Sequence, residues 1–190
     1  MTAGRSAPAA ISHLLFALYP ILIFAGLQFL DPRTLGAIVL VTLAVRYRHN
    51  ALRLVSSLSS WQWLALALPP LLGLAVIATN SETLLRLFPA SISASMLILF
   101  GATLLRPPTM VERFARLRNP ELSPTAVRYT RHVTEVWCLF FVFNGAIAAY
   151  TALAASRESW ALYNGFIAYL LMGTLFAGER LVRRRVMPAA

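Results

Sequence analysis

The stretch WQWLALALPPLLGLAVIATNSETLLRLFPASISASMLILFGATLLR, residues 61–106, decides the fold. Two apolar runs, Trp61 to Thr79 and Leu87 to Leu105, flank a near-neutral break from Asn80 to Arg86. Each run is close to the roughly 20 apolar residues that a helix needs to cross a bilayer. A break this short predicts a tight turn, so the two helices run antiparallel. Pro69-Pro70 sits at the centre of the first run, where two missing amide donors predict a kink.

Similar runs lie on both sides. Ile11 to Leu30 contains Pro20, and at about 20 residues it exceeds the roughly 7–15 of a signal h-region, so it reads as a retained first span. Asp31-Pro32-Arg33 reads as a tight turn. The second run, Thr34 to Arg48, is free of charge only as far as Val45. It either thins the bilayer locally or lets Arg46 and Arg48 snorkel, and an irregular hairpin is the alternative. Later runs cover about Thr134 to Ala155 and Ser159 to Gly178, with an outer turn at Arg157-Glu158 and a tail from Glu179. The prediction is an all-α polytopic membrane protein, a single domain over residues 1–190 with about six transmembrane helices. Composition agrees: the chain is 58% hydrophobic and 13% charged, with a mean hydropathy of +0.68. A soluble domain is about half apolar and about a quarter charged.

The 17 basic residues are all arginine, and the net charge is +10. On the six-span reading, Arg5, Arg46, Arg48, Arg53, Arg106, Arg113, Arg116, Arg118, Arg128, Arg131, Arg180, Arg183, Arg184 and Arg185 share one side. Arg33, Arg86 and Arg157 take the other. Positive loops stay cytoplasmic, so both termini are expected there. These arginines sit in short loops between apolar spans and not on one soluble face, so anionic lipid headgroups are the expected counter-charge and nucleic acid is not.

Chemistry-bearing motifs are few. Cys138 is the only cysteine, which rules out an intrachain disulfide, a cysteine-based zinc site or a CxxCH haem attachment. No pair of histidines among His13, His49 and His132 has metal-ligand spacing, and no nucleophile has a base beside it in a recognisable motif. No catalytic residue, cofactor or metal is therefore expected. The acidic residues Asp31, Glu82, Glu112, Glu121, Glu135, Glu158 and Glu179 fall at span ends or in loops. That weakens a proton-driven transporter, although Pro69-Pro70 keeps a broken-helix transporter open.

The long connection from Arg106 to Val133 carries ordered signals. Thr109-Met110-Val111-Glu112 fits a capping box opening a short amphipathic helix, with Met110, Phe114 and Leu117 on one face. Such a helix can lie on the inner leaflet. Asn119-Pro120 ends it. Ser123-Pro124 then reads as an N-cap followed by proline at the first helical position, and the new helix continues into the fifth span. Arg113, Arg116, Arg128 and Arg131 are the candidates to contact lipid or a protein partner. At the membrane edge, Arg131, His132 and Glu135 are spaced to meet on a helix, either as a proton-relay or anion site or as a solvated ion pair. Within the spans, Asn144 and Asn164 occur in the matched segments FNGAIA and YNGFIA. They read either as a polar path for a substrate or as interhelical hydrogen bonds beside close-packed glycine, the second being preferred.

Arg106-Pro107-Pro108-Thr109-Met110-Val111-Glu112-Arg113, Trp137-Cys138-Leu139-Phe140-Phe141, Gly145 with Tyr150, and the final span with its basic tail resemble the intracellular septation protein A family, also called the inner-membrane-spanning YciB family. Tyr19-Pro20, Asp31 and Arg46-Tyr47-Arg48 are similar to that family's opening, so the resemblance spans roughly residues 13 to 187. It is closer still to small uncharacterised membrane proteins encoded near aryl-polyene or fatty-acid-like biosynthesis genes. The chain departs from the septation family in its extended N-terminus, Pro69-Pro70 and Leu87-Phe88-Pro89. The resemblance implies a non-enzymatic protein of the bacterial inner membrane, tied to envelope maintenance, septation and cell division or to an envelope-synthesis complex through protein contacts. A small transporter or flippase for a lipid-like intermediate is the alternative.

Overall fold

A computed structural model describes residues 29–47, 60–117 and 119–186. The first expected span, 11–30, lies outside the described residues except for its last two, as does most of the connection 46–60. The described residues form helices and no strands: α1 (Pro32–Tyr47), α2 (Ser60–Thr79), α3 (Glu82–Arg86), α4 (Phe88–Leu105), α5 (Met110–Arg116), α6 (Pro124–Ala154), α7 (Arg157–Leu162), a π-helical turn (Tyr163–Ile167) and α8 (Ala168–Val186). Among the described residues, four segments are long and apolar enough to cross a membrane: Gln62–Thr79, Phe88–Leu105, Pro124–Ala154 and Arg157–Val186. The last combines α7, the π turn and α8.

α1 packs on α2, α2 on α4, and α4 most extensively on α6, while α8 touches α6 only lightly. The exposed and buried sets are inverted relative to a soluble bundle. Leu71, Leu74, Leu139, Phe143 and Leu170 face outward, whereas Ala65, Ser93, Ser95, Ala126, Ala148 and Ala152 are buried. In lipid, large apolar side chains gain nothing by turning inward, and small residues let backbones approach. Gly36 and Gly73 show that approach directly. A Cβ on Gly73 would lie 2.6 Å from Leu40 Cδ2, and one on Gly36 would lie 2.9 Å from Val76 Cγ1. The bulky part of the core, Leu35, Val39, Val76, Leu85, Phe88, Ala152 and Trp160, gathers at one end of the bundle.

Several expected turns are helical. α1 already begins at Pro32, and Asp31 caps it by accepting from the Thr34 hydroxyl, which holds its carboxyl below the ordinary carboxylate range. At 16 residues α1 is only about 24 Å long, short of the roughly 30 Å hydrocarbon core. Between α2 and α4, Asn80 takes φ 52°, a left-handed conformation that asparagine tolerates. Ser81 then caps α3 by accepting from Leu84 N at 3.4 Å. Arg157-Glu158 is the first turn of α7, because Ser156 accepts from Ser159 N at 3.2 Å and so starts the helix earlier. α8 continues through the expected tail to Val186, with Glu179 and Arg183 paired one turn apart at 3.5 Å. α2 continues through Pro69-Pro70 as one helix. α6 runs unbroken for 31 residues from the Ser123 cap and Pro124, as the sequence predicts.

Candidate functional site at the arginine-rich end

The connection between α4 and α6 is shaped by polar groups at two helix ends. Thr103 Oγ1, in the last turn of α4, accepts from Met110 N at 2.9 Å. Thr134 Oγ1 of α6 receives Val111 N at 3.4 Å. Both threonines are buried, and they satisfy amides that a helix start leaves without intrahelical partners. Glu112, also buried, accepts from Thr109 N at 3.3 Å, so the carboxylate arm of the expected capping box is made. Thr109 Oγ1 is buried without a partner.

Glu112 Oε1 also takes Arg116 Nε at 2.9 Å and Nη2 at 2.7 Å. The remaining arm of Arg116, Nη1, donates to Pro120 O at 2.9 Å. Arg116 is therefore a clamp that ties α5 to the turn after it, with all three of its nitrogens engaged. α5 buries its carboxylate and leaves Phe114 and Leu117 exposed at 57% and 83%. Replacing Glu112 by Gln keeps the shape and removes the charge that holds Arg116. The expected cost is about 2 kcal/mol of local stability, half of what a fully buried pair would lose because Arg116 is partly exposed. Faster limited proteolysis of the 106–123 connection reads this out, and an unchanged cleavage rate would sink it.

The other candidates divide in two. Arg131 Nε pairs with Glu135 Oε1 at 3.2 Å, with both side chains nearly half exposed, and Arg131 Nη1 reaches Leu104 O at 3.4 Å. Such an exposed pair contributes little. His132 donates from Nδ1 to Arg128 O at 2.9 Å, so it is turned back along α6 while Glu135 is held by Arg131. Arg113 and Arg128 are exposed. Arg113 Nε is fixed by Pro108 O at 2.9 Å, and the Arg128 side chain meets no acceptor among the described residues. Together with Arg106, they present guanidinium groups outward at the end that also carries Arg180 and Arg184. The arrangement can hold anionic groups at a membrane surface. Among the described residues, no three His, Cys, Asp or Glu side chains gather at metal-binding distance.

Asn144 and Asn164 are both buried, in separate networks. Asn144 Nδ2 donates to Ser93 Oγ of α4 at 3.0 Å, and Tyr163 donates its hydroxyl to Asn144 Oδ1 at 3.1 Å. Gly145 makes the approach possible, since a Cβ there would lie 3.1 Å from Ser93 Cβ. Asn164 Nδ2 donates to Thr151 Oγ1 at 3.2 Å and to Trp160 O at 2.9 Å. That second bond falls beside the π turn, where the backbone ladder is widened and a carbonyl is available. The asparagines join helices, as interhelical hydrogen bonds do.

The opposite end holds residues that sequence reasoning passed over. Arg33 donates from its backbone N to Asn80 Oδ1 and from Nε to Ile77 O, both at 2.8 Å, covering the end of α2. Arg86 Nη2 donates to Thr151 O at 2.7 Å and Ala155 O at 2.6 Å, covering the end of α6. Arg157 Nε donates to Glu82 Oε1 at 2.7 Å, and Nη2 donates to Oε2. Trp160 is buried, and its indole N–H donates to Arg86 O at 2.8 Å. The only signal in the sequence was that Arg33, Arg86 and Arg157 are the three arginines on the wrong side of the charge rule. No family model matches the chain, and no curated protein or solved structure gives a match.

Proposed function

We propose that the chain is a non-enzymatic, six-span protein of the bacterial inner membrane, with its arginine-rich end and both termini in the cytoplasm. In this reading α1 is the short second span, α5 is an interfacial helix, and residues 11–30 supply the first span. Its role is to support envelope maintenance, septation or an envelope-biosynthesis complex by holding a partner and anionic lipid at the inner membrane face.

One observation carries the reading. Arg86 and Arg157 are used up in capping the end of α6 and pairing with Glu82, whereas Arg106 and Arg128 meet no acceptor among the described residues and Arg113 is held only through Nε. A surface kept for contact differs from one kept for cohesion in this way. The exposed Phe114 and Leu117 beside Arg113 support an interfacial α5, because aromatic and aliphatic groups next to cations suit the headgroup boundary. The resemblance of residues 106–113 and 137–141 to the septation family supports the envelope role.

The test replaces Arg113 and Arg128 with Glu together and leaves the Arg116 clamp intact. The expected result is about tenfold weaker retention of the partner in mild-detergent purification, with altered cell morphology or envelope permeability and unchanged thermal stability. Normal retention together with normal cells would overturn the role.

A further inference from the structure

A groove of about 680 Å³ opens between α2 and α4 at the arginine-rich end. Its wall is apolar, made by Leu97, Ile98, Leu104 and Leu105 around Gly101, and Arg106 and Arg113 stand at its mouth. The space over Gly101 is open, since a Cβ there would meet nothing within 4 Å.

The charge at the mouth is uncompensated. The neighbouring carboxylate, Glu112, is consumed by Thr109 N and Arg116, and Glu135 is held by Arg131. Arg113 is anchored through Nε to Pro108 O, which fixes the guanidinium and leaves its two terminal nitrogens for another acceptor. Arg106 is exposed, and its side chain meets no acceptor among the described residues. Two guanidiniums above an apolar trough match a phosphate above an acyl chain, and Arg forks suit phosphate oxygens.

We propose that this groove is a binding site for one anionic phospholipid, its phosphate held by Arg106 and Arg113 and an acyl chain laid along α4 over Gly101. The site rests on the reading of the chain as a membrane-embedded bundle and not on its envelope role. A zwitterionic lipid fits less well, because its ammonium group offsets the attraction that the two arginines supply.

The full-length protein in mild detergent, equilibrated with equal amounts of phosphatidylglycerol and phosphatidylethanolamine vesicles, is read by native mass spectrometry for retained lipid. The wild type retains phosphatidylglycerol in preference. Arg106→Gln with Arg113→Gln lowers that retention about 25-fold, about fivefold for each charge. Lysine at both positions restores most of it. Gly101→Trp fills the trough without touching the charge and also lowers retention, while Arg157→Gln, at the opposite end, leaves it unchanged.

Equal retention of the two lipids, or unchanged retention in the glutamine pair, overturns the site. So does a Gly101→Trp protein that keeps its lipid, which would mean that the trough is filled by the chain's own residues or by a partner. Loss of lipid preference with intact partner retention through Arg128 sinks only this site. Intact preference with no effect of the Glu substitutions at Arg113 and Arg128 on partner or cells sinks only the envelope role.

Discussion

Trp160→Ala is expected to cost about 3–5 kcal/mol, the range for removing a large buried aromatic side chain. The indole is 1% exposed and packs in the cluster that joins the start of α1, the end of α2, α3, the start of α4 and the end of α6. Its N–H donates to Arg86 O at 2.8 Å, and the Arg86 guanidinium lies 6.0 Å from the ring centroid, within reach of a cation–π contact. Trp160→Phe separates the contributions. It keeps most of the packing and leaves the Arg86 carbonyl without its donor, for about 1–2 kcal/mol. Reversible unfolding in mild detergent measures both. A cost below about 1 kcal/mol for the alanine variant would mean that this end does not hold the bundle together.

Arg86→Met should cost about 3 kcal/mol in the same assay. The side chain supplies charge-assisted bonds to Thr151 O and Ala155 O, each worth roughly 1.5–3 kcal/mol. They fall where α6 runs out of intrahelical donors and its dipole favours a cation. Two effects reduce the sum. Arg86 Nε is buried without a partner, and the guanidinium gives up some hydration to sit there. Arg86→Lys should recover about half, because both bonds leave the single nitrogen Nη2 and an ammonium with three donors can make them where the shorter side chain reaches. The residues touch, so the Arg86→Met, Trp160→Ala double variant should cost less than the two single losses added together. Strict additivity would contradict the contact. A methionine variant as stable as the wild type would show that desolvation cancels the bonds.

The local signals around residues 106–124 were legible because their chemistry is short-range. Glu112 accepts from Thr109 N and Ser123 accepts from Ala126 N, each within three residues, and helices start at both places. The short breaks at Asn80 to Arg86 and Arg157-Glu158 predict turns, yet Ser81 and Ser156 cap helices there. The matched segments FNGAIA and YNGFIA announce hydrogen bonding between helices without naming the partners. They look like one repeated device, yet Asn144 reaches across to Ser93 while Asn164 bonds partly to its own helix beside a π turn.

Among the four arginine candidates, the sequence alone had no way to rank them. Glu112 and Arg116 lie four apart on one short helix, a spacing that permits their pairing, but the docking of α5 decides that Glu112 is buried and so holds Arg116 while Arg113 stays at the surface. By itself the amino-acid sequence determined that the chain is helical, marked the four runs that among the described residues are apolar enough to cross a membrane, and separated Arg33, Arg86 and Arg157 from the arginines of the 106–131 segment. Those properties depend on length, hydropathy and charge, which add up residue by residue along the chain. The tertiary structure decided which arginines are spent, which asparagines join helices, and that Arg86 meets Trp160 across 74 positions. Such pairings are set by how helix faces dock, and in lipid that docking follows small residues and a few hydrogen bonds whose partners are distant in sequence.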